Sequence, residues 1–508
     1  MKGALAWRAL LIVLGFGALA LLITAGVASG AFRDWGYPDS ATLLRVREVA
    51  ETGRIYPPFD RPPYLVSIYG PLTYAALAVP YAIAERLGGD PRVAVQGAVA
   101  CALFASLALV FVLSRQLHAS KRTAAISLLF AASITFLPDW VVQIRGDFIA
   151  LFFSLLCASM ALRWMRSSAA SAYLGAVACA AAAVLTKQTF IAVPLGVFAS
   201  LLFARRWAHA LAWAAGVGLA AAGAYLLVWY REPAMLQHYS AVGHPLFEFS
   251  VGLKLILSLR TQLLLPFAVA GIVVAIRSGS PPARTLVLIA GASWAIAAAT
   301  VFQAGAAVNY FWEALFICSV FAGHGADVIR ARLRSSPRWV AALVLLVLIP
   351  WGVSTLATSG RSLGRAYREQ HGRDARRAEW TALRDALSGK KVLSPLPDVT
   401  LLGTPPVVPD PILASYLEIA GKWSYSPIID DLKANRFDVV VIRPGTIVSH
   451  GSYRGITPWN DTVWKLVSER YKFDCRYSGL EIWVPREKPP HVCGDIARAA
   501  KVSRAGQA

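Results

Sequence analysis

The chain has 508 residues, of which 56% are hydrophobic, and a mean hydropathy of +0.53. No soluble domain can hide that much apolar surface, so the composition excludes an ordinary water-soluble enzyme and places most of the chain in lipid. The net charge of +21 would suit a nucleic-acid binder. However, much of the excess lies in short loops between apolar runs, where it faces anionic lipid, and the rest carries no aromatic-interleaved basic motif, so no nucleic-acid partner is read from it.

The first apolar run, Ala9 to Phe32, is uncharged and long enough to cross a bilayer as a helix. Its other reading is a signal peptide, for which its apolar core is long. An acidic and aromatic segment follows, Asp34-Trp35-Gly36-Tyr37-Pro38-Asp39-Ser40. Ala41 to Thr52 then predicts a short interfacial helix, with Leu43, Leu44, Val46 and Val49 apolar and Arg45, Arg47, Glu48 and Glu51 charged. A Pro- and Tyr-rich stretch, Tyr56 to Tyr64, leads to Tyr69-Gly70-Pro71. The apolar segment Leu72 to Leu87 is read as lying on, or dipping into, the outer face.

Further spans are predicted over 93–114, 123–138, 148–162, 167–186, 188–204, 207–230, 261–276, 285–303, 308–326 and 339–358. With the first, they make about eleven transmembrane helices. Basic clusters at Arg115 to Arg122, Arg163 and Arg166, Arg205 and Arg206, Arg277 and Arg284, and Arg330 to Arg338 fall in every second loop. They mark the cytoplasmic side, with the N-terminus, and leave the opposite loops with the acids.

From about residue 359 the chain turns polar, then shows strand-length β-branched runs at Lys391 to Ser394, Asp438 to Ile442 and Leu480 to Val484. Thr381 to Leu387, Ile412 to Ile419 and Thr462 to Arg470 read as helices. The predicted fold is mainly α: a polytopic membrane domain over 1–358, with a large first outside loop (33–92), plus a small extracytoplasmic α/β domain over 359–508 with a flexible tail after about Arg486. Cys475 and Cys493 lie in that domain and could pair in an oxidising compartment; the other cysteines, Cys101, Cys157, Cys179 and Cys318, lie in spans.

Several polar groups fall at outside helix ends: Asp34 and Asp39; Arg145-Gly146-Asp147; Thr186-Lys187-Gln188; His238 and His244; and Asn309-Tyr310-Phe311-Trp312-Glu313. Ionisable groups beside lipid are costly and need a reason to be there. Each also has a structural reading. Asp39 caps the following helix, Asp34 is a solvated loop acid, Arg145 pairs with Asp147, Lys187 snorkels to the interface, and the histidines are loop residues. Asn309 and Glu313, one turn apart, share a helix face.

This arrangement resembles the GT-C glycosyltransferases, integral membrane enzymes that use polyprenyl-phosphate sugars. Within them it is most similar to the bacterial group near aminoarabinose transferases and protein O-mannosyltransferases. Pro38-Asp39-Ser40 matches the family's acidic residue before a short interfacial helix, while Tyr69-Gly70-Pro71-Leu72 stands, without a cation, where relatives carry Lys-Pro-Pro or His-Pro. Arg145-Gly146-Asp147, Leu185-Thr186-Lys187-Gln188 and Asn309-Tyr310-Phe311 with Glu313 resemble other recurring stretches. The resemblance implies Asp39, with Asp34 second, as catalytic base. It implies Arg145, Asp147, Lys187, Gln188, Tyr69, His244, Asn309, Tyr310 and Glu313 as substrate-binding residues. A polyprenyl-phosphate sugar would donate to a glycan, lipid or protein acceptor at the outer face of a bacterial inner membrane, by inverting displacement. No cofactor or metal is required, although a divalent cation between Asp34 and Asp39 is compatible. The rival reading is a transporter or lipid-linked sugar flippase without chemistry.

Overall fold

The computed structural model describes residues 2–28, 39–242, 247–303, 305–335, 338–400, 402, 406–446, 457–489 and 491–505. The first half of the membrane part comprises α1 (Lys2–Ala28), α2 (Asp39–Thr52), α3 (Pro71–Arg86), α4 (Pro91–Gln116), α5 (Lys121–Ala132), α6 (Leu137–Trp140), α7 (Asp147–Ser167) and α8 (Ala170–Thr186). It continues with α9 (Ala192–Phe203), α10 (Trp207–Arg231), α11 (Met235–Val242), α12 (Phe249–Ser258), α13 (Leu264–Ser278), α14 (Pro281–Thr300), α15 (Trp312–Ser335) and α16 (Arg338–His371). Local signals set several starts. Asp90 accepts from the N–H groups of Arg92 and Val93 and precedes Pro91, and Ser280 caps α14 in the same way before Pro281, accepting from Ala283.

Among the described residues, six helices are long and apolar enough to cross a membrane, or seven if the pair α12–α13, bent by 80°, is one span. Other predicted spans are shorter or broken. The run at 123–138 is a helix only to Ala132, after which Ser133 closes it and a turn leads to α6. The run at 188–204 begins at Ala192, because Lys187 leaves the helical region. With 12 residues each, α5 and α9 reach about 18 Å.

Contacts show which helix ends share a side. Arg122 at the start of α5 and Arg330 late in α15 both lie over the ring of Trp7, near the start of α1, at 5.3 and 5.1 Å. Gln116, ending α4, donates to Ser159 late in α7 at 2.9 Å, and Thr123 donates to Asp327. On the opposite side, Asp139 meets Ser362 and Arg365 of α16, and the carboxylate after α10, Glu232, accepts from Ile55 and Tyr56. The segment Leu72–Leu87 forms α3, and both its ends belong to this second side: one against Thr186, the other joined to the start of α4.

The C-terminal part holds α17 (Arg373–Leu387), β1 (Val392–Leu393), α18 (Pro397–Thr400), α19 (Pro411–Ile419), α20 (Ser426–Lys433) and β2 (Val439–Ile442). It ends with α21 (Asp461–Arg470), β3 (Tyr471–Tyr477), β4 (Leu480–Pro485) and α22 (Val492–Ala505). The sheet order is β1-β2-β4-β3, with only β1 and β2 parallel. In β2, Val439 and Val441 join one core with Leu383, Leu387 and Val484, while Val440 and Ile442 join another with Trp459, Trp464 and Val467. A strand buried on both faces reads as a continuous apolar run, which is why it is legible. Edge strand β3 is not, because Lys472, Asp474 and Arg476 alternate along it. The tail expected to be flexible after Arg486 instead forms α22, which buries Val492 and Ile496 in the core shared with α17. Cys475 and Cys493 are joined as a disulfide, with Cα atoms 6.3 Å apart, tying β3 to α22. The domain sits on two loops of the membrane part: Tyr64 N–H, in the loop before α3, donates to Val407 O at 3.1 Å, and the Tyr416 hydroxyl donates to Glu248, just before α12, at 2.8 Å.

Candidate active site

The start of α7, the end of α8 and the strap Tyr69-Gly70-Pro71 meet at one point. Gly70 N–H and the Thr73 hydroxyl both donate to the carbonyl of Thr186, at 3.1 and 2.8 Å. That carbonyl ends α8 and lacks an intrahelical partner. A Cβ on Gly70 would collide with the carbonyl of Leu185, and one on Gly146 with the Thr73 side chain. Glycine at both positions therefore lets three backbones close on the site.

Asp147 opens α7, where the helix dipole favours a carboxylate. It is 1% exposed, and its Oδ1 accepts from Lys187 Nζ at 2.5 Å and Asn309 Nδ2 at 2.9 Å. Lys187 Nζ also lies 4.7 Å from the centre of the Tyr310 ring. Asp147 Oδ2 and Asn309 Oδ1 are buried without a protein partner. Asp39 opens α2 and is fully buried; its Oδ1 accepts from Ile144 N–H at 3.2 Å, with Arg145 Nε 4.0 Å away. The Arg145 guanidinium stacks over Trp140 at 4.7 Å, and Trp312 packs edge-on against Trp140. Arg145 and Asp147 thus do not pair with each other. Each finds a partner from another segment.

Tyr69 links the two halves. Its buried phenol feels the charges of Arg145, Asp147 and Asp39, and burial pushes its pKa up. Asp39, Tyr69, Arg145, Asp147, Lys187, Asn309 and Tyr310 are therefore brought together. Gln188 and Glu313 are not. Gln188 faces the hydroxyls of Tyr225 and Tyr239 instead, its Nε2 buried without a protein partner, and the Tyr239 hydroxyl is 3.0 Å from that of Tyr56. Glu313 accepts from the Ser154 hydroxyl and from the backbone of Ala192 and Val193, so it caps α9. His238 is a clip: Nδ1 accepts from Ser67 N–H at 2.9 Å and Nε2 lies 2.8 Å from Pro57 O, which assigns the proton to Nε2. Burial pushes its pKa down to about 4. Asp34 and His244 lie outside the described residues.

Sequence reading missed Trp140, Ser154 and the tyrosine network. Trp140 precedes Arg145 with no periodic signal, and the tyrosines come from segments far apart in the chain. Among the described residues, the one grouping of three potential metal ligands is Asp474, Cys475 and Cys493. Its two thiols are already joined to each other.

No protein-family model and no curated protein matches the sequence. Solved structures do. ArnT from Cupriavidus metallidurans bound to undecaprenyl phosphate aligns with a TM-score of 0.59 at 16% identity, covering 92% of this chain and 97% of that one. The same protein in the apo state gives 0.58 at 17%, covering 94% and 98%. The archaeal oligosaccharyltransferase AglB from Archaeoglobus fulgidus, in complex with an inhibitory peptide and a dolichol-phosphate, gives 0.47 at 13%, covering 94% of this chain and 75% of that one. At these identities the likeness is one of fold, and over nearly its whole length this chain has the fold of ArnT.

Proposed function

We propose that the chain is a membrane glycosyltransferase that moves a monosaccharide from a polyprenyl-phosphate donor to an acceptor hydroxyl at the extracytoplasmic face. The carrying observation is the convergence of Asp39, Arg145, Asp147, Lys187 and Asn309, from separate segments, on one buried spot, in a fold shared with ArnT bound to undecaprenyl phosphate. Asp39 takes the acceptor proton as its oxygen attacks the anomeric carbon. The bond from that carbon to the phosphate oxygen breaks on the opposite face, so the configuration inverts. Lys187 and Arg145 neutralise the departing phosphate. Asp147 Oδ2 and Asn309 Oδ1, buried without protein partners, accept hydroxyls of the donor sugar, because leaving them unpaired is costly.

The helices cross the membrane about eleven times, with the Trp7, Arg122 and Arg330 ends cytoplasmic. The disulfide supports an oxidising, extracytoplasmic setting for the C-terminal domain. The purified, detergent-solubilised protein is offered polyprenyl-phosphate sugars beside Asp39→Asn and Asp34→Asn. Loss of transfer by about 10²–10⁴-fold in Asp39→Asn alone is expected for a missing general base. Loss confined to Asp34→Asn moves the base, and sugar-lipid binding without turnover by wild type replaces the transferase by a flippase.

A further inference from the structure

At the end of the bundle opposite the Asp147 site, α1, α5 and α15 bring cations together around one indole. The guanidinium of Arg122 lies 5.3 Å from the centre of the Trp7 ring and that of Arg330 lies 5.1 Å from it. Neither guanidinium is ion-paired among the described residues. Arg122 and Arg334 both repel Arg330 electrostatically, while Asp327, which also accepts from Thr123, attracts it. The Trp7 indole N–H is buried with no acceptor. The first turn of α5 adds its positive helix end, with Ser120 Oγ holding the N–H of Thr123 at 3.1 Å. Arg122 is exposed and Arg330 and Trp7 are half-buried, so the cluster opens at the rim of the bundle.

Like charges held around one ring, beside an unfilled donor and a helix N-terminus, need a counter-anion. One carboxylate already engaged by Thr123 does not balance them. We propose that this rim is a binding site for the phosphate of an anionic phospholipid headgroup. Phosphate accepts guanidinium forks, and basic pockets between membrane helices on the cytoplasmic side take such headgroups. The lipid tails would lie along the outer faces of α1 and α5. The site is separate from the transferase reading and stands without it.

The test is native mass spectrometry of the full-length, detergent-solubilised protein titrated with phosphatidylglycerol, with phosphatidylcholine and with inorganic phosphate. Wild type is expected to take up phosphatidylglycerol in preference to phosphatidylcholine. Arg122→Gln/Arg330→Gln should weaken that binding roughly 30-fold, as expected for two basic side chains at a lipid surface. Arg122→Gln alone changes one exposed side chain and keeps the fold, and should cost roughly fivefold. The control Arg205→Gln/Arg206→Gln removes another basic pair and should bind as wild type. Unchanged binding in Arg122→Gln, or an equal loss in the control, overturns the site. Uptake of inorganic phosphate without preference for phosphatidylglycerol overturns its assignment to lipid.

Discussion

Two carboxylates are buried on the same side of the bundle, and they differ in what surrounds them. Asp147 meets a lysine and an asparagine from other segments and keeps one oxygen without a protein partner. Glu313 spends its oxygens on a serine hydroxyl and the first N–H groups of α9. Both stand near a helix start and both are nearly inaccessible, so burial alone does not distinguish an acid with capacity left for a ligand from one engaged by the fold. Unfilled hydrogen-bonding capacity does.

The strongest way to break this contrast is to strip the cation. Lys187→Ala leaves Asp147 without its short ion pair and, in the proposed mechanism, removes the charge that meets the departing phosphate. Transfer should fall by about 10²–10³-fold, as for loss of one preorganised stabilising group, and Asp147→Asn should lose activity in the same assay. Wild-type turnover in Lys187→Ala would make the Asp147 cluster structural, like Glu313.

Gly70→Ala sharpens it next. The added methyl meets the Leu185 carbonyl at the backbone contact that closes the site. Overpacking of this kind costs about 1–3 kcal/mol, read as a lower Tm with transfer lost beyond what the Tm drop explains. A variant with unchanged Tm would mean that the strap is free to shift.

Many of the site residues are legible in the sequence. Charges at the ends of apolar runs are conspicuous because lipid makes them costly, and Arg145, Asp147 and Lys187 stand out for that reason alone. Their pairing is not legible. Proximity in the chain joins Arg145 to Asp147, whereas the fold joins Arg145 to Asp39 and Lys187 to Asp147. Which segments approach is decided by backbone contacts at Gly70 and Gly146, and no local period reports them. Glu313 falls among the expected substrate residues for the same reason: capping a helix more than a hundred residues earlier leaves no mark nearby. Hydropathy also overruns α5, since a run of apolar residues continues past the cap at Ser133.

Glu313→Gln keeps an acceptor and removes the charge. It should cost about 1 kcal/mol of stability, the value of a helix cap, seen as a small fall in Tm with transfer close to wild type. A large loss of transfer at unchanged Tm would return Glu313 to the reacting groups.

The smallest effect lies in the loop that leads into Tyr69. His238 binds the loop through Ser67 and Pro57 while neutral. Its pKa is down at about 4 from the ordinary 6.5, and burial is the main cause. Between those values the released loop binds a proton that the clipped loop does not, so the clip loses stability as pH falls. It is at full strength above about pH 6.5 and weakens towards pH 4. Amide exchange over residues 55–68, corrected for intrinsic rates, should therefore open more at pH 5 than at pH 7. His238→Gln should remove that pH dependence while the exchange of α7 stays as it was. Identical protection at both pH values would mean that the Pro57 and Ser67 contacts survive protonation, and that the loop is held by the aromatic packing of Tyr56 and Phe59 on the imidazole ring instead.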